Sequence, residues 1–422
     1  MTERIDDAGA FELEARLRDA EGTPGMDPVR RVRFRVGRHM ADTQHTPRRW
    51  PTRFLVLAAL AVPAAAALGL AAVFFGPARQ VTQILPGGGS SPPAASPSPP
   101  AESFPGFQPR AVSAVSESEF WVLGCPAGSQ QAQVLHTTDA GKHFASTGAI
   151  SSDARACGDT PAQTVGAIRF ADPANGWVFG PGLWSTHDGG RTWAAVALAG
   201  KSDSVSLEPA AGEAYALVRQ SPGAKPSAVQ LFRTPAKSDA WAPATLPAAV
   251  EQPAALGVHG KTVWVMTGGQ APALFVSHDQ GGSWTRDGNP CSADLGGSLA
   301  PASDTTLWAF CATGMMGQPI VSTDGGRTFA AQPSVPRFVN SAVLGAVSAA
   351  KVFVASAASP LMRSADGGAT YEPAIQQPAN GAFTWVGFTD ANVGYAVESG
   401  VNQRLWRTSD GGQTWSPVSF GA

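Results

Sequence analysis

One eight-residue phrase, Ser/Thr-x-Asp-x-Gly-x-Thr/Ser-aromatic, recurs at residues 137–144, 186–193, 277–284, 322–329, 364–371 and 408–415. Its aspartates are Asp139, Asp188, Asp279, Asp324, Asp366 and Asp410. The first copy, TTDAGKHF, carries His143 where the others have a hydroxyl. A worn copy, TPAKSDAW (234–241), fills the one double gap, with Ala236 in place of the aspartate. Seven reference positions result, spaced 42 to 49 residues apart. A fixed period of that length marks an array of like units, each burying its apolar surface against the next.

A second motif interleaves with the first. FADPANGWVFG (170–180) and FTDANVGYAV (388–397) share Phe-x-Asp followed by Gly-aromatic. Weaker versions centre on Trp121, Tyr215, Trp264, Trp308 and Phe353. Each unit reads as four short strands, with the eight-residue box as the hairpin between the third and fourth. The segments alternate and are rich in β-branched and aromatic residues, which excludes helical solenoids. The expectation is an all-β, seven-bladed β-propeller over residues 104–422. Within each box the aspartate accepts backbone N–H bonds in the turn. The glycines take positive φ, the hydroxyl ties the far side, and the aromatic enters the layer between blades.

The phrase resembles the Asp-box, or BNR, repeat. Propellers of that kind include sialidases, some glycoside hydrolases, sortilin-type receptors and the photosystem II assembly-factor family. The Phe-x-Asp…Gly-aromatic strand makes the likeness greatest to the assembly-factor type. The resemblance implies the propeller fold and a structural role for the box; it implies no activity. A sialidase needs a tyrosine nucleophile and an arginine triad. Here Tyr371 is a box aromatic, Tyr215 and Tyr395 are strand aromatics, and Arg110 lacks the flanking pattern. A glycoside hydrolase would need two carboxylates about 5–9.5 Å apart, for which Asp153, Asp159, Asp287, Asp294 and Asp304 are the acids not spent on boxes or Phe-x-Asp turns. The leading expectation is a non-catalytic binding or assembly scaffold; the alternative is a carbohydrate-active enzyme using the propeller funnel.

Ahead of the array, residues 54–76 run 23 residues without a charge, enough to cross a hydrocarbon core of roughly 30 Å. Residues 28–53 hold eight arginines and one acid, whereas only Arg79 follows the span closely. By the positive-inside rule residues 1–53 form a cytoplasmic tail and the array is extracytoplasmic, at the plasma membrane. Residues 77–103, rich in Pro, Gly and Ser, read as a linker. The net charge of −2 gives no general attraction to nucleic acid. His136, His143, His187 and His278 fall in or beside boxes of different blades without paired spacing, so no metal and no cofactor is expected.

The four cysteines permit two disulfides. Cys125 and Cys311 end second strands, while Cys157 and Cys291 lie in loops leading from one blade to the next. In an up-down blade both places fall on the face opposite the boxes, so Cys125–Cys157 and Cys291–Cys311 are the expected pairs. That stapled face also carries the longest connections. It is the expected surface for a protein or glycan partner, with Arg155 and Arg337 as contacts.

Overall fold

The structure, a computed structural model, describes residues 102–421 apart from 159–164, 199–201, 221–228, 249, 251–253, 269–271, 289, 292–295, 331–337, 340, 341 and 358. The expected tail, membrane span and nearly all of the linker lie outside the described residues. Among the described residues no helix is long and apolar enough to cross a membrane.

Seven four-stranded antiparallel sheets succeed one another along the chain, and each strand pairs only with its neighbours in sequence. Blade one comprises Gln108–Ala114, Phe120–Cys125, Gln133–Thr137 and Ala145–Ser146; blade seven comprises Gly381–Phe388, Gly394–Gly400, Leu405–Thr408 and Ser416–Pro417. First strands of successive blades lie side by side, and the first strand of blade one meets the second strand of blade seven. The fold is the all-β seven-bladed propeller, with first strands around the axis.

No single core exists. Seven apolar layers separate the blades, and each is built by the same rule. The strand-two aromatic of one blade meets the box aromatic of the next: Trp121 with Trp193, Trp177 with Trp241, Tyr215 with Trp284, Trp264 with Phe329, Trp308 with Tyr371, Phe353 with Trp415, and Tyr395 with Phe144. The seven strand-two aromatics are at most 2% exposed. Burial of such rings, about 150–250 Å² each, dominates the cohesion between blades.

The box sits between third and fourth strands in every blade. Just after its aspartate position, or at that position in the worn copy, a backbone N–H donates to the turn that joins strands one and two. The pairs are Ala140–Ser118, Gly189–Ala174, Ala236–Gly212, Gln280–Lys261, Gly325–Thr305, Gly367–Ala350 and Gly411–Asn392, at 2.8–3.0 Å. The worn copy keeps this bond because it needs only backbone. The Phe-x-Asp motif is the other half of this end of the blade. Asp172 Oδ1 accepts from the N–H groups of Ala174 and Asn175, and Asp390 Oδ1 from those of Asn392 and Val393. Phe170 covers Gly176 and Phe388 covers Gly394, where a Cβ would approach the ring to 2.6 and 2.5 Å. In blades one, five and six the capping residue is Ser116, Ser303 or Ser348.

Both expected disulfides are present, Cys125–Cys157 and Cys291–Cys311. They lie at the far ends of second strands and in inter-blade loops, on the face opposite the boxes. Among the described residues the ring closes without exchanging a strand between first and last blades.

Candidate functional site

The pairing register identifies one equivalent first-strand position in all seven blades: the residue opposite the strand-two aromatic. It is Ser113, Arg169, Glu208, Gly257, Ala300, Gly345 and Gly387. Five of the seven are small, as crowding of first strands around an axis requires. A Cβ on Gly257 or Gly345 would come within 3.2 Å or less of the next blade's Leu299 or Val386. Blades two and three break the pattern with opposite charges.

Arg169 and Glu208 engage each other side by side: Nε and Nη2 donate to the two carboxylate oxygens, each at 2.9 Å. Nη1 donates to the Ile168 carbonyl. The side chains keep 21% and 32% of their surface exposed, so the pair is partly desolvated, and it joins the inner strands of two blades. Bidentate geometry of this kind is the strong form of an ion pair. Across the channel the Arg169 guanidinium lies 5.8 Å from the centre of the Trp385 ring of blade seven. Gly387 makes that possible. A Cβ there would stand 2.4 Å from the Trp385 ring, so the indole lies over bare backbone. Together with Ser113 and Thr389 these groups line a cavity of about 200 Å³ at the box-side end of the channel. Ser113 is itself tied inward, its Oγ accepting from the Phe170 N–H at 2.8 Å.

The residues expected to act elsewhere take different places. The six box aspartates sit on separate blades, each closed in its own hairpin. Arg155 lies half-buried on the stapled face, donating to the carbonyls of Ser152 and Ala154 in its own loop. Arg337 lies outside the described residues. Tyr215, Tyr371 and Tyr395 occupy the inter-blade layers, and burial pushes the Tyr215 hydroxyl up to about 12. Among the described residues no group of three or more His, Cys, Asp or Glu side chains is placed to hold a metal ion.

Arg169, Glu208 and Trp385 were not among the sequence candidates. Their signal is positional: counted seven or eight residues back from each strand-two aromatic, the position reads small in five units and charged in two. Trp385 stands two residues before that position in its unit, where the register places Ala111, Ala167, Ser206, Ala255, Ser298 and Val343 in the others.

No family model matches the chain, and no curated protein matches it. Solved structures do. One is YCF48 bound to D1 peptide, 16% identical, with a TM-score of 0.48, covering 73% of this chain and 95% of that one. Another is YCF48 from Cyanidioschyzon merolae, 20% identical, TM-score 0.42, covering 60% and 85%. A GH74 enzyme from Niastella koreensis is 14% identical, TM-score 0.30, covering 75% and 66%.

Proposed function

We propose that this chain is a membrane-tethered, extracytoplasmic binding scaffold whose ligand seats at the box-side end of the propeller channel. Residues 54–76 anchor it, residues 1–53 face the cytoplasm, and the linker holds the propeller off the bilayer. One observation carries the choice of site. Among the seven equivalent first-strand positions only Arg169 and Glu208 carry charge, and the large aromatic Trp385, two residues before the blade-seven position, converges on the same pair. Binding sites are typically apolar concavities with a few fixed polar groups. The described lining holds a single carboxylate, Glu208, already committed to Arg169, whereas paired-carboxylate hydrolysis needs two. Binding is therefore the reading the geometry supports.

Two measurements test it. Protease added to intact spheroplasts should digest the propeller and spare the tail; the reverse pattern sinks the topology. A photo-crosslinking residue at Thr389, exposed at the channel mouth, should give adducts in the cell that the same residue at Ala194, exposed on an outer strand of blade two, does not. Adducts at Ala194 alone would move the site off the channel.

A further inference from the structure

Blades two and three meet at the worn box, where a different contact replaces the missing box chemistry. The position three residues after the box aspartate is Lys142, Arg191, Gly282, Arg327, Ala369 or Gln413 in the regular copies and Asp239 in the worn one. Asp239 reaches back to strand three of blade two. Its Oδ2 accepts from the Ser185 hydroxyl at 2.7 Å and lies 3.2 Å from His187 Nε2. The other imidazole nitrogen, Nδ1, lies 2.8 Å from Asn175 Oδ1. The Asn175 amide is not free to turn and offer a donor instead, because its Nδ2 donates to both carboxylate oxygens of Asp172, each at 2.9 Å. At each ring nitrogen, therefore, His187 faces an oxygen that only accepts. A neutral imidazole has one N–H and one lone pair. In that state one of the two contacts sets a lone pair against an acceptor; only the imidazolium donates at both.

The other described histidines are held differently. His136, His143 and His259 meet Glu119, Asp139 and Asp304 through one ring nitrogen each, which a neutral ring protonated on that nitrogen serves. His278 meets the Thr262 hydroxyl, which donates or accepts as required. The charged groups around His187 are Asp239 from blade three, Asp172 behind Asn175, Lys237 of the worn box, which acts on Asp172 through its charge, and Asp188 in its own hairpin. We infer that His187 is a proton-binding site that latches blade two to blade three. The protonated ring completes the chain Asp172–Asn175–His187–Asp239–Ser185 across the seam, and loss of the proton leaves the ring one good contact. The proton comes from solvent and returns to it, since 35% of the His187 side chain is exposed. The latch stands at the seam where the Trp177 indole N–H, buried in the same layer, has no partner. Arg169 and Glu208 join the same two blades on the channel side, so the proton acts on the joint that carries the channel pair.

The test uses the full chain in phosphatidylcholine nanodiscs, whose head groups keep no net charge over the pH range used. Amide exchange is read by mass spectrometry at about pH 5.5 and about pH 8, the range in which imidazoles exchange protons, and each rate is divided by the intrinsic chemical rate at that pH. Residues 183–188 and 236–240, on the two sides of the seam, should open about tenfold more readily at the higher pH, the scale of one hydrogen bond to a charged group. Val352–Ala355 of blade six, a blade without histidine, should not change. His187→Gln removes the titrating ring and should abolish the difference, with His187→Asn in its place if the glutamine variant does not fold by thermal unfolding. Asp239→Asn should flatten the difference by slowing exchange at the higher pH, because the new amide donates to the lone pair of the neutral ring. A merely structural Asp239 would instead give faster exchange at both pH values. Equal opening of the wild-type seam at the two pH values, a difference that survives in His187→Gln, or faster exchange of Asp239→Asn at the higher pH would each overturn the inference.

Discussion

The aspartate of the box works through two oxygens with separate duties. In Asp324, Oδ1 accepts from Ser322 Oγ at 2.7 Å and from the Thr328 N–H at 2.9 Å, while Oδ2 accepts from Thr328 Oγ1 at 2.6 Å. Blade one solves the last contact with a different residue. His143 Nδ1 lies 2.6 Å from Asp139 Oδ2, so the imidazole takes the place of the missing hydroxyl. Asp324→Ala should cost about 1–3 kcal/mol, the scale of leaving turn donors without partners, and should leave channel binding intact; lost binding at an unchanged melting temperature would contradict this. The hydrogen bonds also set an acid limit. Bonds from Thr192, Ser283 and Thr370 hold Asp188, Asp279 and Asp366 at about 2, against an ordinary 3.8. A carboxylate with a lowered folded pKa stabilises fully above its unfolded value and loses that contribution as pH falls through the folded one. Urea midpoints should therefore hold down to about pH 4 and decline toward about pH 2, and Asn at these three positions should flatten that decline. Ala140 gives the converse case: it holds φ +64°, where the other boxes mostly place glycine. Ala140→Gly should leave stability unchanged or raise it by up to about 1 kcal/mol, as relief of left-handed strain offsets glycine's entropy, read from the melting temperature.

At the scale of the blade, a backbone carbonyl at the box end of the next blade, in the box or in the turn between strands one and two, accepts a bond in one of two ways. Where strand two carries tryptophan, the indole N–H reaches it: Trp121 to Gly189, Trp264 to Gly325, Trp308 to Ser348. Where strand two carries Tyr215, Phe353 or Tyr395, the facing strand-three residue is arginine and donates instead: Arg233 to Gln280, Arg363 to Gly412, Arg407 to Glu117. Blade two has neither solution. The next box is the worn one, and the Trp177 indole N–H is left without a partner. The code predicts a graft. Arg233→Val should destabilise by about 1–2 kcal/mol, and adding Tyr215→Trp should recover most of it, since blade four pairs Trp264 with Val276. Gly281 leaves the room, its Cβ position standing 3.9 Å from the Tyr215 ring. Additive losses in the double-mutant cycle would refute the exchange. This level of structure was legible in the sequence, because a turn needs the same Asp, Gly and aromatic wherever it recurs, and the period exposes them. Trp385 and the Arg169–Glu208 pair were not singled out, because a binding group departs from the repeat instead of obeying it. Only the strand register shows that residues 169, 208 and 387 share one position.

For the whole molecule, seven layers of equal construction leave the seam between blades seven and one as the step that turns an array into a ring. Among the described residues no strand crosses it. It is held by side chains from both ends of the domain: the Phe420 ring lies 5.0 Å from both Phe107 and Phe144, and the Phe104 N–H donates to the Phe420 carbonyl at 2.7 Å. Arg407 adds its bond to the Glu117 carbonyl. The disulfides do not help here, since Cys125–Cys157 and Cys291–Cys311 brace blades one and five against inter-blade loops on the stapled face. That face also exposes Met315 and Val401 at hairpin tips and holds Arg155, and it is a second proposed contact surface, tested by charge reversal at Arg155 and at Arg337. Repeat arrays distribute stability over neighbour interfaces, so a weak interface opens first. Phe420→Ala removes a half-buried ring from one interface only and should cost about 1–3 kcal/mol, below the range for fully buried phenylalanines. Amide exchange should locate the loss. Protection should fall in the first and last blades, at Phe120–Cys125 and Gly394–Gly400, while the second strands of blades three to five keep theirs. An even loss over all seven blades would mean that the seam is not the opening point and that the ring unfolds as one cooperative unit.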